Sequence, residues 1–290
     1  MATTGATTGA TTGIVYARAK MGTVWDRTIE VLNGRTGMIA PIALLGIALP
    51  SVLRDGFAAF STPGTLTFAL VGATLAIAAL VAVIWAQLAI VAIATDPATN
   101  AAEARRVAGK RVLPALGITM LLTFVAALFV VPPVIVLLNS GFDFAAAASG
   151  SSVQMTPPSA NAAAFVALYG LAFLLMAIWI GARLVLLNPV ILNERRGIGA
   201  IRRSVQLTKG LTWRIIGVLI LFAIVMLVST WAAQSVTGII FRLALGADGI
   251  ATATFLSGVV ATIVTTVFTA LAAVFTAQLY VAVREKLPQE

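Results

Sequence analysis

The stretch ARLVLLNPVILNERRGIGAIRRSVQLTKGLTWRIIG, residues 182–217, decides the fold class of this chain. It starts in apolar sequence, passes Pro189 and Glu194, and continues through a basic amphipathic segment around Arg202 and Arg203. It then returns to apolar sequence. Apolar segments joined by a cationic amphipathic segment are typical of membrane proteins that cross the bilayer several times with a fixed orientation. We therefore predict an all-α, polytopic membrane protein.

The composition of the whole chain agrees with a membrane protein. Hydrophobic residues make up 60% of the 290 positions and charged residues 10%, against roughly 45–50% and 25% in soluble domains. A water-soluble domain could not bury that much apolar surface. Each of the following uncharged runs reaches the ~18 residues that a transmembrane helix needs: 36–53, 56–95, 112–142, 144–182, 215–241 and 249–283. The sequence predicts six transmembrane helices.

The distribution of lysine and arginine predicts the orientation of these helices. Sixteen of them precede the first span, follow the last, or lie in the loops after the second and fourth spans. The loops on the other side contain two, Arg54 and Arg242. Because basic loops stay in the cytoplasm, both termini are expected there, in the cell (inner) membrane. We interpret the net charge of +9 as this effect together with attraction to anionic lipid, and we expect no nucleic-acid partner.

The predicted domain organisation is a single transmembrane domain between two short tails. Residues 1–21, which begin MATTGATTGATTG, lack the apolar core of a cleaved signal peptide and have the composition of a disordered tail. Residues 22–286 form the transmembrane domain, and residues 287–290 form the C-terminal tail. The absence of cysteine excludes disulfide bonds and leaves the redox compartment open.

An internal threefold repeat is suggested by a short signature near one end of three spans. Ala86-Gln87-Leu88, Ala182-Arg183-Leu184 and Ala277-Gln278-Leu279 recur at intervals of about 95 residues. Residues 27–36 also match residues 203–212 without a gap. We predict three pseudo-repeated hairpin units, about 22–97, 98–196 and 197–286, each an interfacial helix followed by two spans. Chance is the alternative, because alanine and leucine are abundant here.

The segments before the odd-numbered spans are amphipathic. Apolar residues such as Val24 and Thr28 share one helical face, with Asp26 and Arg27 on the other. Such helices lie in the headgroup plane with their cations toward phosphate groups, although a surface for docking a protein partner is an alternative. The residues predicted to contact lipid at the cytoplasmic interface are Arg27, Arg106, Arg202, Arg203, Trp213 and Arg214.

Three polar residues are expected inside the bilayer. Arg183 would cost at least ~2.5–3.5 kcal/mol at the centre of a span unless it is paired or reaches the headgroups. If the repeat is real, Gln87 and Gln278 lie at a similar depth and form with Arg183 a polar cluster that could bind an anion or a lipid headgroup. Alternatively, Arg183 reaches lipid phosphate while the two glutamines join helices.

The chemistry needed for an enzyme is missing from the sequence. It has no histidine, which removes the commonest general base and metal ligand. It also has no HExxH motif, no Walker-type loop and no paired intramembrane aspartates. We predict no enzymatic activity, no catalytic residues, no metal site and no cofactor.

The region from Arg183 to Gly217 resembles the membrane domain associated with bacterial glycerophosphoryl diester phosphodiesterases and related stand-alone integral membrane proteins. The residues that carry the resemblance are Arg183, Pro189, Glu194, Ala200, Arg203, Ser204, Leu207, Thr208, Gly210, Trp213 and Arg214. The resemblance implies a membrane domain without the catalytic barrel of those enzymes, since that barrel would need histidine and clustered carboxylates.

Two functional hypotheses follow. The first is a non-enzymatic integral membrane protein that contacts anionic lipid headgroups, or scaffolds a membrane protein partner, at the cytoplasmic leaflet. The alternative is a small transporter or lipid-translocating protein that uses a polar site near Arg183. A cavity that reaches Arg183 would favour the alternative, and close helix packing there would favour the first.

Overall fold

The computed structural model describes residues 20–142, 144, 158–194 and 197–285. These residues are helical apart from short turns, and no strand occurs among them. The first helix begins at Met21, the last residue of the predicted N-terminal tail. The remainder of that tail up to residue 19, the predicted C-terminal tail and most of the loop between the third and fourth spans lie outside the described residues.

The helices form six segments that are long and apolar enough to cross a membrane, so the predicted multi-pass membrane protein with six spans is confirmed. The helices are α1 (Met21–Ala43), α2 (Leu49–Phe60), α3 (Leu66–Thr95), α4 (Ala101–Leu128), α5 (Val131–Asn139), α6 (Ala160–Leu184), α7 (Leu187–Asn193), α8 (Gly199–Leu207), α9 (Thr212–Leu245) and α10 (Ile250–Arg284). The first span joins α1 to α2 through a π-helical turn, Leu44–Ala48. α4 with α5 forms the third span, and α6 with α7 the fourth.

Two of the breaks within spans have a proline close by. α4 ends at Leu128, and α5 restarts with Pro132 in its first turn. α6 ends at Leu184 and α7 restarts at Leu187, ahead of Pro189. Proline lacks an N–H and clashes with the preceding turn, so a helix tends to end before it. Because of the second break, α7 packs against α3, α4 and α10.

The lysine- and arginine-bearing helix ends pack together at one end of the bundle, called here the basic end. It comprises the start of α1, the ends of α3 and α10, the start of α4, and the segment from the end of α6 to the start of α9. The densest core lies here. The end of α3 is its centre, with Leu88, Ala89, Ile90, Val91 and Ile93 inaccessible to solvent. Val190 and Ile191 of α7 are buried beside it.

The half of the bundle away from the basic end is more open. Every residue from 123 to 132 in the third span is exposed, which covers all faces of the helix. α6 has one narrow contact stripe, where Phe173 lies 5.9 Å from Phe129, ring centroid to centroid. The Tyr169 hydroxyl donates to the Phe129 carbonyl in the same stripe at 2.9 Å. In the apolar 18-residue stretches of the third and fourth spans no residue is buried, whereas half of the residues in the corresponding stretch of the second span are buried.

The fifth and sixth spans pack through small residues. Ala253, Ser257 and Ala261 recur every four residues on the buried face of α10. Gly238 of α9 lies against Ser257, because a Cβ built at this glycine would sit 3.7 Å from the serine side chain. Small residues let two helix backbones approach closely, which increases their van der Waals contact in a bilayer.

Two segments that the sequence relates by an offset of 176 residues have similar environments. Thr28 and Ser204 correspond, and both are fully buried. Ile39 and Ile215 also correspond, and both are buried. The backbone leaves helical geometry at Arg35 (φ −130°, ψ 15°), and the corresponding Leu211 (φ −107°, ψ −8°) is the N-cap residue that precedes α9. In the middle unit α4 is continuous from Ala101, so the three units are not uniform and the threefold repeat stays a prediction.

The first span approaches α3 closely at Gly46. A Cβ at this position would lie 2.5 Å from the Ala86 Cβ and 3.3 Å from the Trp85 ring. We expect Gly46→Ala to destabilise the protein by about 1–3 kcal/mol, the usual cost of overpacking. The midpoint of thermal unfolding in detergent measures this effect.

Two further variants make the Gly46 test specific. Gly117→Ala adds a methyl group in α4 where nothing lies within 4 Å, so it should not lower the midpoint. Adding Ala86→Gly to Gly46→Ala removes the clashing atom and should restore much of the loss. An unchanged midpoint for Gly46→Ala would show that the two spans do not approach this closely.

Candidate functional site

The residues of the 182–217 segment join the end of α6 to α8. α6 ends at Leu184, so the carbonyl groups of its last turn lack intrahelical partners. The Arg183 carbonyl accepts from the Ser204 hydroxyl at 2.9 Å and from the Thr208 hydroxyl at 3.3 Å. Both hydroxyl-bearing residues are fully buried. Gly210 then adopts φ +83°, which glycine allows without strain, and lets the chain turn into α9.

The side chain of Arg183 is only partly satisfied by the protein. Its guanidinium carbon lies 5.1 Å from the centroid of the Trp179 ring, within cation–π range. Nη1 donates to the Val205 carbonyl at 3.5 Å, which is the outer limit for a hydrogen bond. Nε is buried and has no hydrogen-bond partner among the described residues. Since a guanidinium carries five N–H donors, this group has donors left for an anion.

Arg203, by contrast, forms an ion pair within the protein. Its Nε donates to both carboxylate oxygens of Glu194, at 3.2 and 3.1 Å. The Tyr280 hydroxyl donates to the same carboxylate at 3.4 Å. The arginine and glutamate side chains are 29% and 16% exposed, so this network is largely enclosed. It fastens the end of α7 to α8 and α10, and the predicted lipid contact of Arg203 stays a prediction.

The two glutamines of the predicted polar cluster join helices. The Gln87 side-chain carbonyl accepts from the Asn188 amide of α7 at 3.1 Å. The Gln278 amide of α10 donates to the Ala94 carbonyl near the end of α3 at 2.6 Å. No hydrogen bond within the described residues connects Gln87, Arg183 and Gln278 to one another. Each of the three therefore has its own partners, and their joint site stays a prediction.

The remaining predicted interface residues lie on the surface of the basic end. Arg27 forms an exposed ion pair with Glu285 at 3.5 Å. Arg106, Arg202 and Arg214 are exposed. Trp213, in the first turn of α9, is 81% exposed. These arginine side chains and this indole ring are therefore exposed, unlike the largely enclosed side chain of Arg203.

Two residues that organise this end were not predicted from the sequence. Arg35, at the break in α1, donates to the carbonyl groups of Ile93, Asp96 and Pro97 and so caps the end of α3. The sequence contained a signal for the role of Arg35, because a basic side chain can bind the last carbonyl groups of a helix and the end of α3 needs such a cap. The second residue is Tyr280, which is fully buried against Glu194. Only the packing of α10 reveals its role.

Part of the chain is similar to a known domain family. Residues 160–288 match the family model described as the membrane domain of glycerophosphoryl diester phosphodiesterase. The match starts at the first residue of α6 and includes the last three spans. It contains the segment on which the sequence resemblance rests, so that prediction is confirmed, and no catalytic domain is matched. No curated protein and no solved structure matches the chain.

The two neighbouring arginines of α8 should differ in their effect on stability. Arg203→Gln removes the cation that faces the largely enclosed Glu194 carboxylate. Hydrogen bonds to charged groups contribute about 1.5–3 kcal/mol, and a loss of that size is expected in the free energy of unfolding. Arg202→Gln changes an exposed cation next to it and should stay within about 0.5 kcal/mol of the wild type. Equal effects of the two substitutions on detergent unfolding would contradict the pairing.

Proposed function

We propose that the protein is a non-enzymatic integral membrane protein of the inner membrane that contacts anionic lipid headgroups at the cytoplasmic leaflet through its basic end. The observation that carries this proposal is that Trp213, Arg202 and Arg214 are all exposed at the basic end. An indole ring suits the boundary between hydrocarbon and headgroups. Each cation near an anionic membrane surface contributes about 1 kcal/mol of attraction.

The packing of α8 supports this orientation of the basic surface. Its buried face, Ala200, Ser204 and Leu207, is turned toward the protein. Arg202 and Gln206 therefore point outward. The helix is held in place by the hydrogen bonds of Ser204 and Thr208 to the Arg183 carbonyl and by the ion pair of Arg203, so the backbone that carries Arg202 has a fixed position. A preorganised set of cations loses less conformational entropy when it binds.

The proposal that the protein is not an enzyme rests on its side-chain inventory. The whole sequence lacks histidine and cysteine. Among the described residues, no group of three or more histidine, cysteine, aspartate or glutamate side chains could hold a metal ion. The enclosed carboxylate of the basic end, Glu194, is engaged by Arg203. A scaffolding role for a membrane protein partner is compatible with the same surface.

Lipid preference should depend on the exposed arginines. We expect the double variant Arg202→Gln/Arg214→Gln to lose most of the wild-type preference for phosphatidylglycerol over phosphatidylcholine. A contribution of about 1 kcal/mol per arginine corresponds to about fivefold for each. Quenching of tryptophan fluorescence by bromine-labelled forms of the two lipids, in mixed micelles, gives the relative binding constant.

The matched control for the lipid experiment is Arg242→Gln, which alters an arginine at the opposite end of α9. It should change the preference by less than either basic-end substitution does alone. If the double variant keeps the wild-type preference, or if Arg242→Gln matches it, the basic end is not the lipid-binding surface. The scaffold hypothesis would then be the one to pursue.

The orientation can be tested with single cysteines in this cysteine-free chain. Gln206 is exposed at the basic end, and Thr62 is exposed in the turn between α2 and α3 at the opposite end. With intact cells and a membrane-impermeant thiol reagent, we expect labelling of Thr62→Cys. Gln206→Cys should react only after the membrane is permeabilised. The reverse pattern would place the basic end outside the cell and contradict the proposed topology.

A further inference from the structure

An exposed apolar stripe on α6 leads directly to Arg183. Leu168, Leu171, Leu175 and Trp179 precede this arginine at intervals of three or four residues, so the five side chains share one face of the helix. The four apolar residues are between 49% and 69% exposed. The stripe lies beside, and not within, the contact stripe that contains Tyr169 and Phe173. It is therefore an unfilled surface with a cation at one end.

The guanidinium at the end of the stripe lacks an anionic partner within the described part of the chain. α6 contains no acidic residue. The described ion pairs of the basic end join Glu194 to Arg203 and Glu285 to Arg27. Arg183 has instead the Trp179 ring, one long hydrogen bond and a buried Nε without a partner. Its side chain is therefore oriented, held on one side by the indole ring, and able to bind an oxyanion.

The dimensions of the stripe fit one leaflet of a bilayer. Arg183 lies in the last turn of α6, and Leu168 is 15 residues earlier, a distance of about 22 Å at 1.5 Å per residue. Half of a bilayer including headgroups is about 20–22 Å thick. With Arg183 at the headgroups, the apolar residues extend to the region of the bilayer midplane. A small inorganic anion would use only the first few ångströms of this surface.

We propose that α6 carries a binding site for a single phospholipid of the leaflet at the basic end. Arg183 binds the phosphate group, and an acyl chain lies along Trp179, Leu175, Leu171 and Leu168. This proposal relies on the proposed function for one point, which is that the basic end lies at the level of the lipid headgroups. It differs from that proposal in kind, because it concerns one bound lipid and not a general preference of the surface. The phosphodiester of the lipid is what the guanidinium recognises, so the site requires a phosphate together with an acyl chain.

Native mass spectrometry of the detergent-purified protein with added phosphatidylglycerol tests the site. We expect Arg183→Gln to reduce the fraction of protein carrying one bound lipid at least tenfold. Arg183→Lys should give an intermediate loss, because lysine keeps the charge without the planar, bidentate donor set. Arg242→Gln, which removes an exposed cation at the opposite end of α9, should leave the single bound lipid in place. A wild-type lipid fraction in Arg183→Gln would overturn the proposal.

The acyl-chain part of the site has its own matched pair. Leu175 lies on the stripe, and the adjacent Leu174 is also exposed but faces another side of α6. Leu175→Ala should lower lipid retention several-fold, since it removes van der Waals contacts with the acyl chain. Leu174→Ala should not. Equal retention in the two variants would show that no chain follows the stripe. This pair also keeps the test valid if Arg183→Gln fails to fold.

Competition distinguishes a lipid from a free anion. Excess inorganic phosphate should leave the bound lipid in place, whereas a short-chain phosphatidylglycerol should displace it. Displacement by inorganic phosphate at the same concentration would make the site an anion site and overturn the lipid assignment. Failure of the proposed function would give a different result. In that case the Arg202→Gln/Arg214→Gln variant would keep the wild-type lipid preference, and this result does not depend on whether one lipid is retained at Arg183.

Discussion

The structure of the basic end depends on one constraint, which is that buried helix ends must have their carbonyl groups satisfied. α3 is buried up to Ala94, so water has little access to the carbonyl groups of Ile93 and Ala94, although the chain reaches the surface at Asp96. Arg35 and Gln278, which lie on other spans, donate to its last carbonyl groups. α6 ends in the same way, and Ser204 and Thr208 donate to it. Unpaired backbone groups in such surroundings cost several kcal/mol each, so these contacts fix the relative positions of the spans.

A firmly joined basic end explains why the rest of the bundle can remain open. The third and fourth spans are anchored through α7 and the end of α6, and away from the basic end they contact each other through Phe129, Tyr169 and Phe173. In a bilayer those exposed apolar faces carry no hydrophobic penalty, because lipid chains are as apolar as leucine. The open half leaves the Leu168–Trp179 stripe uncovered. The closed half holds Arg183 at the end of that stripe with its backbone fixed and its guanidinium available.

The spans could be predicted from sequence because their signal is local. Hydropathy and length identify all six, and Pro132 and Pro189 lie at the bends. The side-chain partners could not be predicted in the same way. Glu194 and Tyr280 are 86 residues apart, and no periodicity connects them. Gln87 and Gln278 looked equivalent in sequence, yet one accepts from a side-chain amide and the other donates to a backbone carbonyl. Which partner each one meets depends on how whole helices pack.

The pair Arg202–Arg203 shows most clearly where sequence reasoning stops. Two adjacent arginines on an amphipathic helix cannot be told apart by residue type or local composition, and both were predicted to contact lipid. A helix turns about 100° per residue, so the two side chains face different surroundings. One reaches the enclosed carboxylate of Glu194 and is committed to the fold, while the other is exposed. The number of cations at the basic end therefore overstates the number that the fold leaves exposed. The exposed cations are those on a helix face that does not contact a partner within the protein. Arg183 is intermediate between the exposed and the paired arginines, because Trp179 and the Val205 carbonyl contact only part of its guanidinium.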